Sequence, residues 1–410
     1  MTRAYHRKLA VILLAAAGSA QAGGLQRPNG VSARGTGMGG AWNVWADDAT
    51  AVYFNPAALD NADEEIEVGA EYVYGPRSYT PLADDGTKGP AQKTTVSAPL
   101  PVLGVVGRLT GDDDRPSRFT IGGAIYNSYG GQVSFPVTGD PALDSTEDAV
   151  IEAAVGTGFR VSDKLVLGAS LRLGIGLFSL DATQNPFDAH LSANGVGGAF
   201  AFGALFKPTD NVRLGVAWRS PMRITTDGSG TITLPAGVTP EGVRHDQVWP
   251  QSASLALGVR ATPDLKLTVQ GDWVQWSQLK DLTVQFPANS SLDQVYREDW
   301  KDNWAARVGG EYSFGAAAVR AGAYIDTNAV PDRTIERQYF DLLKIGVSAG
   351  ASVRTSGWRF DGAVDFGPPN TRSVPNNHAA TSAFPADRNK APGDYKGTLL
   401  TIELAVAHAF

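Results

Sequence analysis

The stretch LTIELAVAHAF, residues 400–410, decides the fold. Leu400, Ile402, Leu404, Val406, His408 and Phe410 alternate with Thr401, Glu403, Ala405, Ala407 and Ala409. A period of two puts the first set on one face of a β-strand and the second on the other. In EEIEVGAEYVYG, residues 64–75, Ile66, Val68, Tyr72 and Tyr74 oppose Glu65, Glu67 and Glu71 in the same way. Twelve more segments of this kind lie between, at 94–109, 119–131, 150–161, 165–182, 194–206, 211–226, 250–262, 265–285, 303–314, 317–327, 341–354 and 357–367. Fourteen strands, an even number with alternating faces, are the pattern of an all-β transmembrane antiparallel barrel.

The two faces settle which side meets lipid. Leu167, Leu171, Leu173 and Ile175 oppose Ser170 and Arg172; Trp304, Val308 and Tyr312 oppose Arg307 and Glu311; Phe360, Val364 and Phe366 oppose Arg359, Asp361 and Asp365. A charge on the lipid face would cost about 2–4 kcal/mol at the bilayer midplane, so the ionic face must line the lumen. Aromatic residues near strand ends, among them Tyr72, Trp218, Trp273, Trp304 and Trp358, suit interfacial girdles. Connections alternate between short turns, such as 162–164, 263–264 and 355–356, and long loops at 75–93, 132–149, 183–193, 227–249, 286–302, 328–340 and 368–396. One end therefore carries turns and the other loops, as outer-membrane barrels do.

Ahead of the strands, residues 1–22 have the marks of a secretory signal peptide. Arg3, Arg7 and Lys8 precede an apolar run from Leu9 to Ala17, and Ala20-Gln21-Ala22 forms a cleavage site. Removing 22 of the 410 residues leaves 388, with 32 basic against 42 acidic residues and a net charge of −10. Such a balance disfavours a nucleic-acid partner. The chain has no cysteine, hence no disulfide or thiolate metal site, and its five histidines have no ligand-like spacing. No metal, cofactor or catalytic constellation is expected, and the protein reads as a non-enzyme. Its 47 glycines are well above the usual share of about 7%.

Between signal and barrel lies GTGMGGAWNVWADDATAVYFNPAAL, residues 35–59. Gly35, Gly37, Gly39 and Gly40 loosen the backbone, Asp47 and Asp48 offer a helix cap, and Asn55-Pro56-Ala57 enforces a turn. Residues 23–62 are expected to form a hatch folded inside a barrel made by residues 63–410.

The chain resembles the FadL family of outer-membrane channels for long-chain fatty acids and other hydrophobic compounds, including aromatic hydrocarbons. The resemblance rests on Ser32, Gly35, Gly37, Asp47, Asp48, Ala49, Asn55, Pro56 and Ala57, on TyrGlyGly at 129–131, on DWVQWS at 272–277, on AYIDTNAVPD at 323–332 and on the terminal Phe410. It implies a Gram-negative outer-membrane location, a monomer in contact with membrane lipid, and recognition of Phe410 by the barrel-assembly machinery. It also implies ligand capture at the outer loops, passage into the lumen, and lateral exit through a gap at a kinked third strand, here Tyr129, Gly130 and Gly131. Most inward arginines are expected to pair with lumen or hatch acids. Arg172, below Phe178 on the same face, is the candidate for a ligand carboxylate, and Arg34 for a tie between hatch and wall. The polar outer loops depart from the family's apolar ones and leave open an aromatic or alkane ligand, or a general small-solute porin. A plug argues against the latter.

Overall fold

A computed structural model describes residues 31–109, 117–135, 143–184, 187–234, 237–339, 341–378 and 387–410. The expected signal peptide, residues 23–30 of the expected hatch and most of the expected turn at 111–117 lie outside them. Six staves of the wall run in one piece: β1 (Glu65–Pro81), β2 (Gln92–Arg108), β3 (Phe119–Ser134), β4 (Leu143–Ser162), β5 (Leu165–Gln184) and β6 (Phe187–Thr209). The next are interrupted. β7 (Val212–Arg219) continues as β8 (Met222–Leu234), and β9 (Gly237–Trp249) as β10 (Ser252–Arg260). Pro221 and Pro250 sit at these breaks, where the missing N–H ends a ladder. β11 (Leu265–Val274) with β12 (Asp281–Gln285), and β13 (Gln294–Arg297) with β14 (Asn303–Phe314), are broken likewise. β15 (Ala317–Asp326), β16 (Lys344–Thr355), β17 (Trp358–Val374) and β18 (Gly393–Ala409) complete the wall. β18 pairs with β1 from Glu65↔Ala409 to Pro81↔Gly393, which closes a barrel of fourteen staves.

The face assignment holds along the wall. Leu171 is 69% exposed, Leu404 64% and Val68 56%, whereas Glu67, Arg172, Arg307 and Glu403 are buried inside. Phe119 stacks on Phe159 at the turn end, and Trp273 neighbours Trp304 toward the loop end. The loops at 183–193 and 227–249 need correction. β5 and β6 stay paired out to Gln184↔Phe187, and β8 and β9 to Leu234↔Gly237, so these stretches are raised hairpins. His190 and His245 consequently sit on strands.

Residues 31–62 fill the lumen at the turn end. A one-turn helix, Ala33–Gly37, has Ser32 as its cap, so part of the glycine run is helical. A second, Ala51–Phe54, leads into a 3-10 turn at Pro56–Asn61, which Asn55 caps by accepting from the Ala57 N–H. Asp48 does not cap the second helix through a helical N–H. It accepts from the Thr50 N–H at 2.9 Å and from the Ser32 hydroxyl at 2.9 Å.

Much of the glycine excess is the seat of this segment. A Cβ added at Gly168 would stand 2.1 Å from the Ala57 nitrogen, and one at Gly322 would stand 2.2 Å from the Gly39 nitrogen. Backbone lies directly against backbone there. Asn43 adds a bond to Ser254 at 2.6 Å, Asn55 one to the Ala204 carbonyl at 3.2 Å, and Arg307 donates to the Gly39 carbonyl at 3.2 Å.

Candidate functional site

Above the hatch the lumen carries a belt of buried ion pairs, with Glu152 of β4 as its hub. Arg172 donates to Glu152 at 2.7 and 2.8 Å, and Arg219 at 3.0 and 3.2 Å. Tyr126 and Ser128 of β3 also donate to it, at 3.2 and 2.5 Å. Arg219 lies 4.0 Å over the Tyr53 ring and so ties the hub to the hatch. Lower down, beside the hatch itself, Arg320 pairs with Glu311 and Arg359 with Glu67, each at 2.7 Å. Arg172, the candidate for a ligand carboxylate, is engaged throughout: its remaining terminal nitrogen donates to the Ser220 carbonyl at 3.1 Å. Arg34 bonds Asp47 within the hatch, not the wall. A small cavity of about 50 Å³ between hatch and belt is lined by Tyr53, Phe54, Arg219, Asp272 and Asn303.

β3 is irregular at this level. Its register to β4 shifts between Asn127 and Tyr129, and Gly130 has φ +114°. A Cβ at Gly130 would stand 2.3 Å from the Ala149 Cα, so both backbone angle and space call for glycine. The extra residue reverses the alternation. Thr120, Ala124 and Tyr126 face inward below it, and Tyr129, Val133 and Phe135 above it.

On the other side, β3 loses its partner. It pairs with β2 only from Leu103↔Ile125 to Arg108↔Thr120, although β2 begins at Gln92 and β3 runs to Ser134. Toward the loop end the Thr94 hydroxyl reaches the Ser134 carbonyl. The result is a stretch of wall between β2 and β3 without backbone ladder bonds, a window in the hydrogen bonding. Pro99 and Pro101 lie on its edge. Residues two apart in a strand direct their backbone nitrogens to the same side, and the β1–β2 ladder is continuous from Glu65 to Tyr79. The donors missing at both prolines are therefore those that would have bonded β3. Removing them lowers the cost of an unpaired edge inside a bilayer.

Toward the loop end a buried apolar cluster rich in aromatic rings lines the lumen and makes its outer section an aromatic chamber. Tyr129 stacks on Trp249 at 5.1 Å and meets Trp276 edge-on at 6.3 Å, and Trp276 contacts Trp300 at 4.9 Å. Phe178, placed by alternation on the inner face, packs on His245 at 4.2 Å. The chamber thus runs from the outer loops to the bulge of β3 beside the window. Trp276 comes from DWVQWS, and Ala329 and Val330 from AYIDTNAVPD, so both stretches supply chamber walls. Glu298, on the connection between β13 and β14, is buried here. Burial, with Glu336 nearby, pushes its carboxyl up to about 8. Alternation alone did not single out Glu152, Glu298, Trp249, Trp300, Pro99 or Pro101.

The family model for outer membrane protein transport proteins (OMPP1/FadL/TodX) matches residues 13–352. The chain belongs to this family. Solved structures of similar fold include a Pseudomonas aeruginosa FadL homologue, with TM-score 0.80 and 18% identity over 94% of this chain and 100% of that one. The Pseudomonas putida toluene transporter TodX matches with TM-score 0.72 and 18% identity, over 95% and 100%. The Ralstonia pickettii toluene transporter TbuX matches with TM-score 0.70 and 14% identity, over 94% and 99%. No curated sequence matches the chain.

In a FadL/TodX-type outer-membrane barrel the turns face the periplasm and the loops face outward. The filled end of the lumen is therefore periplasmic and the aromatic chamber external. At the periplasmic mouth Asp60 accepts from Arg160 at 2.6 Å and Lys207 at 3.1 Å. Burial alone would raise the Asp60 carboxyl, but the two cations hold it below its ordinary value. A depressed carboxylate stabilises the native contact above its unfolded value of about 4, and that contribution is lost as pH falls through the folded one. Single-channel conductance is expected to stay flat from pH 7 to about 4 and to rise below that as the hatch loosens. Gly168→Val should have the same outcome at pH 7, because the new side chain meets hatch backbone. Conductance of this variant in planar bilayers checks it.

Proposed function

We propose that the protein is a channel for the uptake of hydrophobic compounds, which enter the external aromatic chamber and leave sideways through the window between β2 and β3. The observation that carries this reading is the adjacency of chamber and window at Tyr129, whose ring is part of the aromatic cluster and whose backbone is part of the bulge. A ligand in the chamber gains about 0.8 kcal/mol per buried CH₂, and exit into lipid keeps that gain. Downward passage meets the ion belt and then the hatch, which opposes a general small-solute porin. Residues 31–62 act in this scheme as the periplasmic stopper, held by Asn43, Asn55 and Asp60. The chain acts as a monomer without chemistry of its own.

The bulge supplies the test. Gly130→Val is expected to abolish uptake of a hydrophobic probe such as radiolabelled toluene while the barrel still inserts in the outer membrane. Uptake at the wild-type rate with normal surface expression would remove the lateral route.

A further inference from the structure

The polar atoms of the chamber form a pattern that a simple hydrocarbon leaves unanswered. Glu298 is 1% exposed; its Oε2 accepts from the Trp300 indole at 2.7 Å, and its Oε1 has no hydrogen-bond partner. The residue is held in place: its N–H donates to the Lys280 carbonyl at 2.8 Å, and its own carbonyl accepts from the Thr334 hydroxyl. His245, on β9 and separated from β13 only by β12, is a second buried polar side chain of the same wall. Its Nδ1 bonds the Thr283 carbonyl at 2.9 Å and so carries the proton there, leaving Nε2 without a partner, 3.8 Å from Asp148 Oδ2. Asp148 is an acidic neighbour of both residues. The cations that border this region are committed, Arg337 to Asp144 at 3.3 Å and Lys390 to Glu336 at 2.9 Å. A buried polar atom without a partner is costly, so Glu298 Oε1, set among aromatic rings, is an anchor for a polar group on an otherwise apolar ligand.

We propose that the chamber selects neutral hydroxyl-bearing aromatic compounds, such as alkylphenols and benzylic alcohols, and binds them through Glu298 Oε1. This rests on the channel reading above and narrows its ligand. A hydroxyl is both donor and acceptor, so it satisfies Glu298 in either protonation state. The ring stacks among Trp249, Trp276 and Trp300. A hydrocarbon of the same shape leaves Oε1 unpaired. A carboxylate meets Asp148 and Glu298, with Arg337 and Lys390 already taken. Sites built to bond a ligand hydroxyl discriminate strongly against analogues without one.

Isothermal titration of the detergent-purified full chain with p-cresol, toluene and p-toluate tests this. p-Cresol is expected to bind about 10- to 100-fold more tightly than toluene, as one hydrogen bond to a buried group allows, and p-toluate more weakly than either. Glu298→Leu should bring p-cresol down to the level of toluene and leave toluene unchanged. Glu298→Gln, which keeps the shape and a polar head, guards against a folding defect and should retain part of the preference. Equal affinity for p-cresol and toluene in the wild type, tighter binding of p-toluate, or an unchanged preference in Glu298→Leu would overturn the proposal while the channel reading stands. If no compound of the three binds, the channel reading itself fails.

Discussion

Glu152→Ala is expected to destabilise the barrel by about 3–5 kcal/mol, because it strands two buried arginines at once. Arg172 has a fully buried side chain, and its Nε and one terminal nitrogen both end on Glu152. Arg219 has the same partner and also carries the contact to Tyr53 of the hatch. Without the carboxylate, both charges face a dry interior and repel each other. Tyr126 and Ser128 lose their acceptor, so β3 is released at its bulge. Thermal unfolding followed by the heat-dependent shift on semi-native gels measures the loss, and conductance reports the hatch. The triple replacement Glu152→Leu, Arg172→Met, Arg219→Met separates charge from packing. Swapping a whole buried ionic cluster for apolar side chains is often neutral or stabilising, so the triple variant should recover most of the stability. It should not recover a quiet hatch, since the cation over Tyr53 is gone. A triple variant as unstable as the single one would show that shape, not charge, makes the hub essential.

Replacing Pro99 and Pro101 with threonine should close the window. Both new residues supply the missing N–H groups to β3, and threonine favours an extended backbone. β2 and β3 would then pair upward from Leu103↔Ile125 toward the existing contact of Thr94 with Ser134. Each new backbone bond contributes about 0.5–1.5 kcal/mol, so the variant should melt higher while uptake of a hydrophobic probe drops to the level of cells without the protein. Gain of stability with loss of transport is the signature of a gap that is built in. The two prolines are exposed to lipid and touch no part of the chamber, so a change in ligand affinity is not expected.

Much of the wall was legible without coordinates. The faces of β5, β14 and β17 follow from Leu171, Trp304 and Phe360 alternating with Arg172, Arg307 and Arg359, a pattern local to each strand. The inner position of Phe178 and the unusual backbone near Gly130 were equally visible. The site was less so. Arg172 looked available for a ligand because alternation says which face a residue occupies and nothing of its partner; Glu152 lies 20 residues away and two positions off register. His245 read as a loop residue because a raised hairpin above the membrane keeps polar side chains on its outer surface and so lacks a lipid-facing stripe. Glu298 sits on an irregular connection where no period applies.

By itself the sequence determined how many times the chain crosses the bilayer, which face meets lipid and that charges are enclosed, since a period of two needs only neighbours along one strand. The tertiary structure alone decided which acid each arginine meets, where β3 parts from β2 and which glycines seat the hatch. Those outcomes depend on register between distant segments, as when Arg307 reaches the carbonyl of Gly39, 268 residues earlier. Closure of the ring sets that register, and no single strand carries it.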